Sequence, residues 1–303
     1  MKQTHAAQTS AATLGQLYET ELAAALAATD RNDNEALHDF RVALRRLEVL
    51  VKQLARHNKQ RKRVAHDIRG LMRQSDKGRD AQVMLAWLKT EWPRLDERDQ
   101  AGARYWQRTL ERAQKDCLPV PRETSTVLKR MVRPLAMLLP LDSLGQLPFG
   151  QLLAQRLEQQ SNELSSLMKA ERVDAQLHLV RLKAKTVRYL LLPLCDESPA
   201  CTQAEEALHQ LQTLLGEWHD TVLRQQSLTD TLRKRYEKHT AGRAAGLPPE
   251  SPGLITLIRA TILTQQRLAA RIKRKYLRDG AAHLSGLLHQ AISSMRMAAT
   301  GHG

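Results

Sequence analysis

The chain has 303 residues, of which 42% are hydrophobic but only 4% aromatic. Leu, Ala, Gln, Glu, Arg and Lys dominate, all good helix formers, and β-branched residues are sparse, so the composition excludes a protein built mainly on sheet. With 47 Lys and Arg against 32 Asp and Glu, the formal net charge is +15, which points to a polyanionic partner: nucleic acid, an acidic membrane surface or a phosphate polymer.

The predicted elements follow in order. Residues 1–10 read as a flexible tail. A helix spans about Leu14 to Ala28 and stops at the turn-forming cluster Thr29–Asn34. A second helix contains HDFRVALRRL and runs to about Arg56. A third runs from Arg61 towards Met72 and is interrupted at Ser75-Asp76-Lys77-Gly78, after which Asp80 can cap a helix that ends before Pro93. Helical material then covers 97–117 and 123–139. The stretch LPLDSLGQLPFG, residues 139–150, combines Pro, Gly and polar turn residues and marks the boundary between two halves. The second half repeats the order: a leading helix over 151–169, a helix from Asp174 to about Leu192 containing HLVRLKAKTV, a Pro-containing turn, and a helix from about Thr202 to Leu215. Residues 240–253 read as a surface loop, and two long helices finish the chain.

The two quoted segments are related by a constant offset. His178 − His38, Arg181 − Arg41 and Lys185 − Arg45 all equal 140, as do Leu211 − Leu71 and Asp220 − Asp80. An offset that holds over more than forty positions is the mark of an internal repeat. It predicts an all-α protein of two similar halves, residues 11–142 and 151–292.

On a helical wheel at about 100° per residue, His38, Arg41, Arg45, Lys52 and Arg56 fall within an arc of roughly 60°. Phe40, Leu44, Leu47, Val51 and Leu54 occupy a separate apolar arc of about 80°. In the second helix His178, Arg181, Lys185 and Arg188 share the cationic stripe, and Val180, Ala184, Val187, Leu191 and Leu194 share the apolar one. Ordinary solvated faces alternate Glu with Lys to gain about 0.2–0.5 kcal/mol per pair. Here only Glu48 lies near the first stripe, and no acid interrupts the second. Like charges that repel each other twice in the same register predict an anion that offsets them, and stripes facing one shared concave site.

Further stripes are Arg63, His66, Arg69, Arg73 and Lys77, then Arg104, Arg108, Arg112 and Lys115, then Arg267, Arg271, Arg274 and Arg278. The last two sets read as outer solubilising surface. Arg outnumbers Lys, and its planar fork grips phosphate oxygens bidentately. His38 and His178 lack the converging ligands that a metal needs; they fit phosphate hydrogen-bond donors, or helix-positioning side chains. Asp80 and Asp220 fit helix caps or groups that orient Arg79 and His219. Phosphate-loop, zinc-protease, nucleophile-elbow and kinase signatures are absent, and the acids do not cluster beside the stripes as magnesium-dependent phosphoryl transfer requires. The expectation is a binding protein, not an enzyme, with no cofactor and no metal.

Cys117, Cys195 and Cys201 are odd in number and lack zinc-type spacing, which reads as idle thiols in a reducing cytosol. The N-terminal residues lack a signal-peptide core, and no run of about twenty apolar residues offers a membrane span. A cytoplasmic protein without a membrane partner is expected.

HDFRVALRRL followed by RDAQV, and HLVRLKAKTVRYLL followed by LGEWHDTVL, resemble the two halves of a CHAD domain, the conserved histidine α-helical domain. The resemblance extends from about residue 14 to 290. It implies two pseudo-symmetric four-helix bundles forming one helical domain, a basic central cavity, binding of inorganic polyphosphate (with phosphate or sulfate as simpler occupants), and a place at polyphosphate granules beside granule proteins. The positions that match the family pattern are His38, Arg41, Arg45 and Arg46, then His178, Arg181, Lys183, Lys185 and Arg188, with Arg69, Arg73 and Arg79 between them. Lys52 joins them from the wheel. SDKGRD departs from the LGxxRD-like run of the family, and Glu48 stands where a basic residue is common. A helical nucleic-acid-binding protein is the first alternative, and a metal-dependent phosphohydrolase or phosphotransferase the second.

Overall fold

The computed structural model describes residues 5–31, 34–55, 57–115, 122–140, 143–169, 174–242, 248–278 and 280–300. Among them the chain is helical, with no strand beyond an isolated bridge between Thr9 and Pro148. The helices are α1 (Ser10–Thr29), α2 (Asn34–Gln53), α3 (Lys59–Glu91), α4 (Glu97–Lys115), α5 (Arg122–Ala136), α6 (Ser143–Gln146), α7 (Phe149–Lys169), α8 (Asp174–Leu191), α9 (Pro199–Ala241), α10 (Ser251–Ile272) and α11 (Gly280–Ala299). Short 3-10 turns follow α3 and α8, and a π-helical stretch, Lys273–Arg278, follows α10.

The all-α expectation holds, and the two quoted segments lie on α2 and α8. Two breaks do not exist. Ser75–Gly78 and Gly216–Asp220 lie inside the uninterrupted helices α3 and α9, which have 33 and 43 residues. A helical Gly costs only about 1 kcal/mol relative to Ala. Burial on both sides of each site outweighs it: Leu71 and Ala81 flank one, Leu215 and Trp218 the other, all under 5% exposed. Asp80 and Asp220 are therefore helix-interior residues, and neither is a cap.

The expected tail is also corrected from His5 onward. The Glu197 carboxylate accepts the backbone N–H of His5 at 2.7 Å and of Ala6 at 3.3 Å. Backbone bonds from Phe149 to Gln8 and from Gly150 to Ala6 continue the attachment. Gly150 permits it, since a Cβ there would sit 2.7 Å from the Met295 carbonyl oxygen and 3.3 Å from the Ala6 Cβ.

Two compact units divide the chain. The first comprises Met1–Gln74, Pro119–Leu215 and Ile272–Gly303, and the second Ser75–Leu118 and Gly216–Arg271. Each draws on both sequence halves, and the divisions fall within α3 and α9. In the first unit α1 packs on α2 and α5, and α7 packs on α8 and α11. The second closes around Trp106, which is fully buried beside Met84, Leu88, Leu110, Leu228 and Leu254. Trp106 Nε1 donates to Ser227 Oγ at 3.1 Å, so its one polar atom is satisfied. Nearby Arg224 stacks on Trp87, its guanidinium carbon 4.1 Å from the ring centroid.

Candidate functional site

The apolar stripes seat the motif helices. Phe40, Leu44, Leu47 and Val51 of α2 and Val180, Ala184 and Val187 of α8 are all essentially inaccessible. With those faces fixed, the wheel angles dictate where the cations go, and α2 packs against α8.

Lys185 reports where the stripes meet. Its ammonium is pushed down from 10.5 to about 6, first by burial and then by the charges of Arg45, Arg181, Arg41 and Arg188. Two of those guanidinium groups belong to α2 and two to α8. Such an effect requires the charges to lie close together in a poorly solvated place. The five cations are one electrostatic cluster.

The cluster is braced from outside the motif helices. Arg41 is 5% exposed, and its Nη1 donates to the Met72 carbonyl of α3 at 3.1 Å. Arg188 donates through Nε to Glu205 Oε1 at 2.6 Å and through Nη1 to Gln212 Oε1 at 2.9 Å, both on α9. Glu205 and Gln212 carry no signal in the motif, because they reach it only through tertiary packing.

The remaining candidates are dispersed. Arg46 points to α1, 3.6 Å from Glu21. Burial raises the pKa of that carboxyl while the Arg46 charge opposes the rise. Lys183 donates to Gln160 at 2.8 Å and pairs with Glu163 on α7, which holds the Glu163 carboxyl below its ordinary value. Lys52 and Arg69 share Glu48, at 2.5 and 4.0 Å. An acid that seemed absent from the second stripe is thus supplied by α9, as Glu205 beside Arg188, and Glu48 engages Lys52 of the first. Arg73 is exposed, and Arg79 lies in the second unit with its Nη1 3.4 Å from Gln82 Oε1. His38 is exposed one turn before Arg41, and His178 is half-buried one turn before Arg181. Arg56 lies outside the described residues.

Arg104, Arg108, Arg112 and Lys115 are exposed, on a helix whose other face buries Ala103, Trp106 and Leu110. Asp220 acts electrostatically on Arg224, one turn further along α9, where burial pulls the guanidinium down to about 10. Burial raises both described thiols, with Cys195 pushed up to about 12. Among the described residues no three His, Cys, Asp or Glu side chains are grouped to hold a metal ion, and no helix is long and apolar enough to cross a membrane.

No functionally curated protein matches the sequence. Two solved structures are similar in fold. One is the crystal structure of the CHAD domain from the plant Ricinus communis, at TM-score 0.57 and 20% identity, covering 92% of this chain and 89% of that one. The other is PptA from Streptomyces chartreusis, at TM-score 0.60 and 17% identity, covering 87% of this chain and 100% of that one. The family model of the CHAD domain matches residues 13–229, more than half the chain, including both motif helices. This chain belongs to the CHAD domain family.

Proposed function

We propose that this protein binds inorganic polyphosphate without cleaving it, through the cationic cluster of α2 and α8, and that it does so in the cytoplasm at polyphosphate granules. The observation that carries the reading is Lys185. Burial and the four positive charges beside it disfavour the protonated form of this lysine, and an anion joining the cluster restores that proton and offsets the crowded charges. A linear phosphate polymer supplies dense negative charge and no bases, and Arg forks match its oxygens.

The placement of the aromatic residues favours this ligand over nucleic acid. Single-strand binders add stacking platforms worth about 1–3 kcal/mol per base. Here Trp106, Trp218, Phe40 and Phe149 are all at most 2% exposed, and Trp87 packs edge-on to Trp106 with centroids 6.1 Å apart.

Competition at equal phosphate concentration and moderate salt, long-chain polyphosphate against DNA or RNA, tests the reading. Polyphosphate displaces the nucleic acid if it holds. Preference for nucleic acid refutes it, and phosphate release in the presence of Mg²⁺ replaces the binding protein with an enzyme.

A further inference from the structure

A second group of cations lies at the corner where α2 gives way to α3. A cavity of roughly 290 Å³ opens there, lined by Lys52, Gln53, His57 and Arg61 and by Arg156 and Gln159 of α7. That volume is at the bottom of the usual range for ligand sites, about 300–1,000 Å³, so its occupant is small. Among the described residues the lining contains two arginines, a lysine and a histidine, and no carboxylate.

Two of these groups are already engaged. Arg61 Nη1 donates to the Lys52 carbonyl at 3.0 Å, holding the corner together, and Lys52 pairs with Glu48. Arg156 is different. It is half-buried, makes no hydrogen bond or ion pair with any described residue, and its Nε is closed off from solvent. A buried donor without an acceptor is rare in a native fold and calls for a partner. His57, exposed, is also uncommitted among the described residues. Asn58 Oδ1 accepts the Arg61 backbone N–H at 2.8 Å, capping α3, so the positive end of that helix dipole adds to the field at this corner.

We infer that the α2–α3 corner cavity is a separate anion site that takes one terminal phosphate group, gripped by Arg156 and His57. A terminal phosphate carries close to two negative charges near neutral pH, and it is compact enough for the cavity. The group belongs either to free phosphate or pyrophosphate, or to the end of a polyphosphate chain; the second source rests on the function proposed above, the first does not. Lys52 stands seven residues beyond Arg45 on the same stripe of α2, about 10 Å along the axis at a rise of about 1.5 Å per residue. A chain held by the central cluster can therefore reach the cavity with its end.

Calorimetric titration of the full chain with pyrophosphate, tripolyphosphate and cyclic trimetaphosphate tests the site, because the cyclic ion has no terminal group. The linear ions bind, and trimetaphosphate binds about tenfold or more weakly. Arg156→Gln with His57→Gln lowers pyrophosphate affinity about tenfold or more, whereas Arg108→Ala with Arg112→Ala, on an exposed face, lowers it less than about threefold. Arg156→Lys, which keeps the charge and loses the fork, falls between. Blocking both ends of long-chain polyphosphate as phosphoramidates assigns the source. A loss of affinity that disappears in the Arg156→Gln, His57→Gln variant assigns the site to chain ends, and no loss assigns it to free phosphate. Absence of pyrophosphate binding by the unaltered protein, or equal losses from the two variant pairs, overturns the site. Failure of the polyphosphate reading registers separately, as nucleic-acid preference in the competition above.

Discussion

Arg45 and Lys185 occupy equivalent positions 140 residues apart in the sequence, and in the folded chain Arg45 is the strongest charge acting on the Lys185 ammonium. Two copies of one motif bring their corresponding cations together. This arrangement costs stability, and that cost has a measurable pH signature.

Between about pH 6 and 10.5 the unfolded chain holds a proton on Lys185 that the native chain lacks. The unfolded state therefore binds more protons, and the Lys185 contribution to stability rises with pH through that window. It is least favourable below pH 6, where the buried group is charged in both states. Lys185→Met accordingly stabilises the protein by about a few kcal/mol near pH 6, with the gain vanishing towards pH 10.5. Urea unfolding at several pH values measures it; a gain that does not depend on pH removes Lys185 from the cluster.

A bound polyanion reverses the burden on Lys185 and raises its pKa. At about pH 8, polyphosphate binding takes up close to one proton per site. Binding weakens as the pH rises further, because Lys185 then holds its proton less readily. Titration calorimetry in buffers of different ionisation enthalpy counts the proton, and Lys185→Met abolishes the uptake.

Charge placement separates site from surface. On the proposed function, Arg45→Ala with Arg181→Ala weakens polyphosphate binding about tenfold or more, because these groups would make close, charge-assisted contacts worth about 1.5–3 kcal/mol each. Arg108→Ala with Arg112→Ala removes the same charge from an exposed face and loses less than about threefold, since that field is screened beyond roughly 8 Å at physiological salt. Lys183→Ala, which removes a cation already paired with Glu163, resembles the second pair. Circular dichroism establishes that each variant is folded before affinities are compared.

Glycines divide by their surroundings. A Cβ on Gly253 would lie 2.1 Å from the Asp99 carbonyl oxygen, and one on Gly102 would lie 2.5 Å from that of Glu250, so the backbones there approach too closely for a side chain. Gly253→Ala destabilises the protein by about 1–3 kcal/mol or more. Gly216, inside α9, has nothing within 4 Å of its Cβ position, and Gly216→Ala stabilises by about 0.5–1 kcal/mol. Denaturant midpoints read both signs.

Glu197 fixes the start of the described chain. Glu197→Ala leaves two backbone N–H groups without their acceptor, at about 1–3 kcal/mol, and hydrogen exchange at His5 and Ala6 accelerates well beyond that of α1.

Helical class and the faces of the motif helices were legible in the sequence, because both are local. Periodicity near 3.6 residues places Phe40, Leu44 and Leu47 on one side of a helix and Arg41 and Arg45 on another, whatever surrounds it. The repeat offset of 140 makes Arg45 and Lys185 equivalent. Helix ends were less legible at Ser75–Gly78 and Gly216, where weak local breakers were overruled by burial of their neighbours. The docking of residues 5–10 depends on Glu197 and on the backbone of Leu147, Phe149 and Gly150, all well over a hundred positions away, and leaves no local trace. The same holds for the site. Arg46 and Lys183 carry the same charge as Arg45 and Lys185 and lie on the same helices, yet Glu21 and Glu163 draw them elsewhere. Electrostatic partnership is decided by distances of a few ångströms between groups far apart in the chain. The sequence determined which side chains are cationic and which face each occupies. Tertiary packing alone decided which of them share a space, which are neutralised by acids from other helices, and which, like the half-buried Arg156, keep a buried Nε without an acceptor among the described residues.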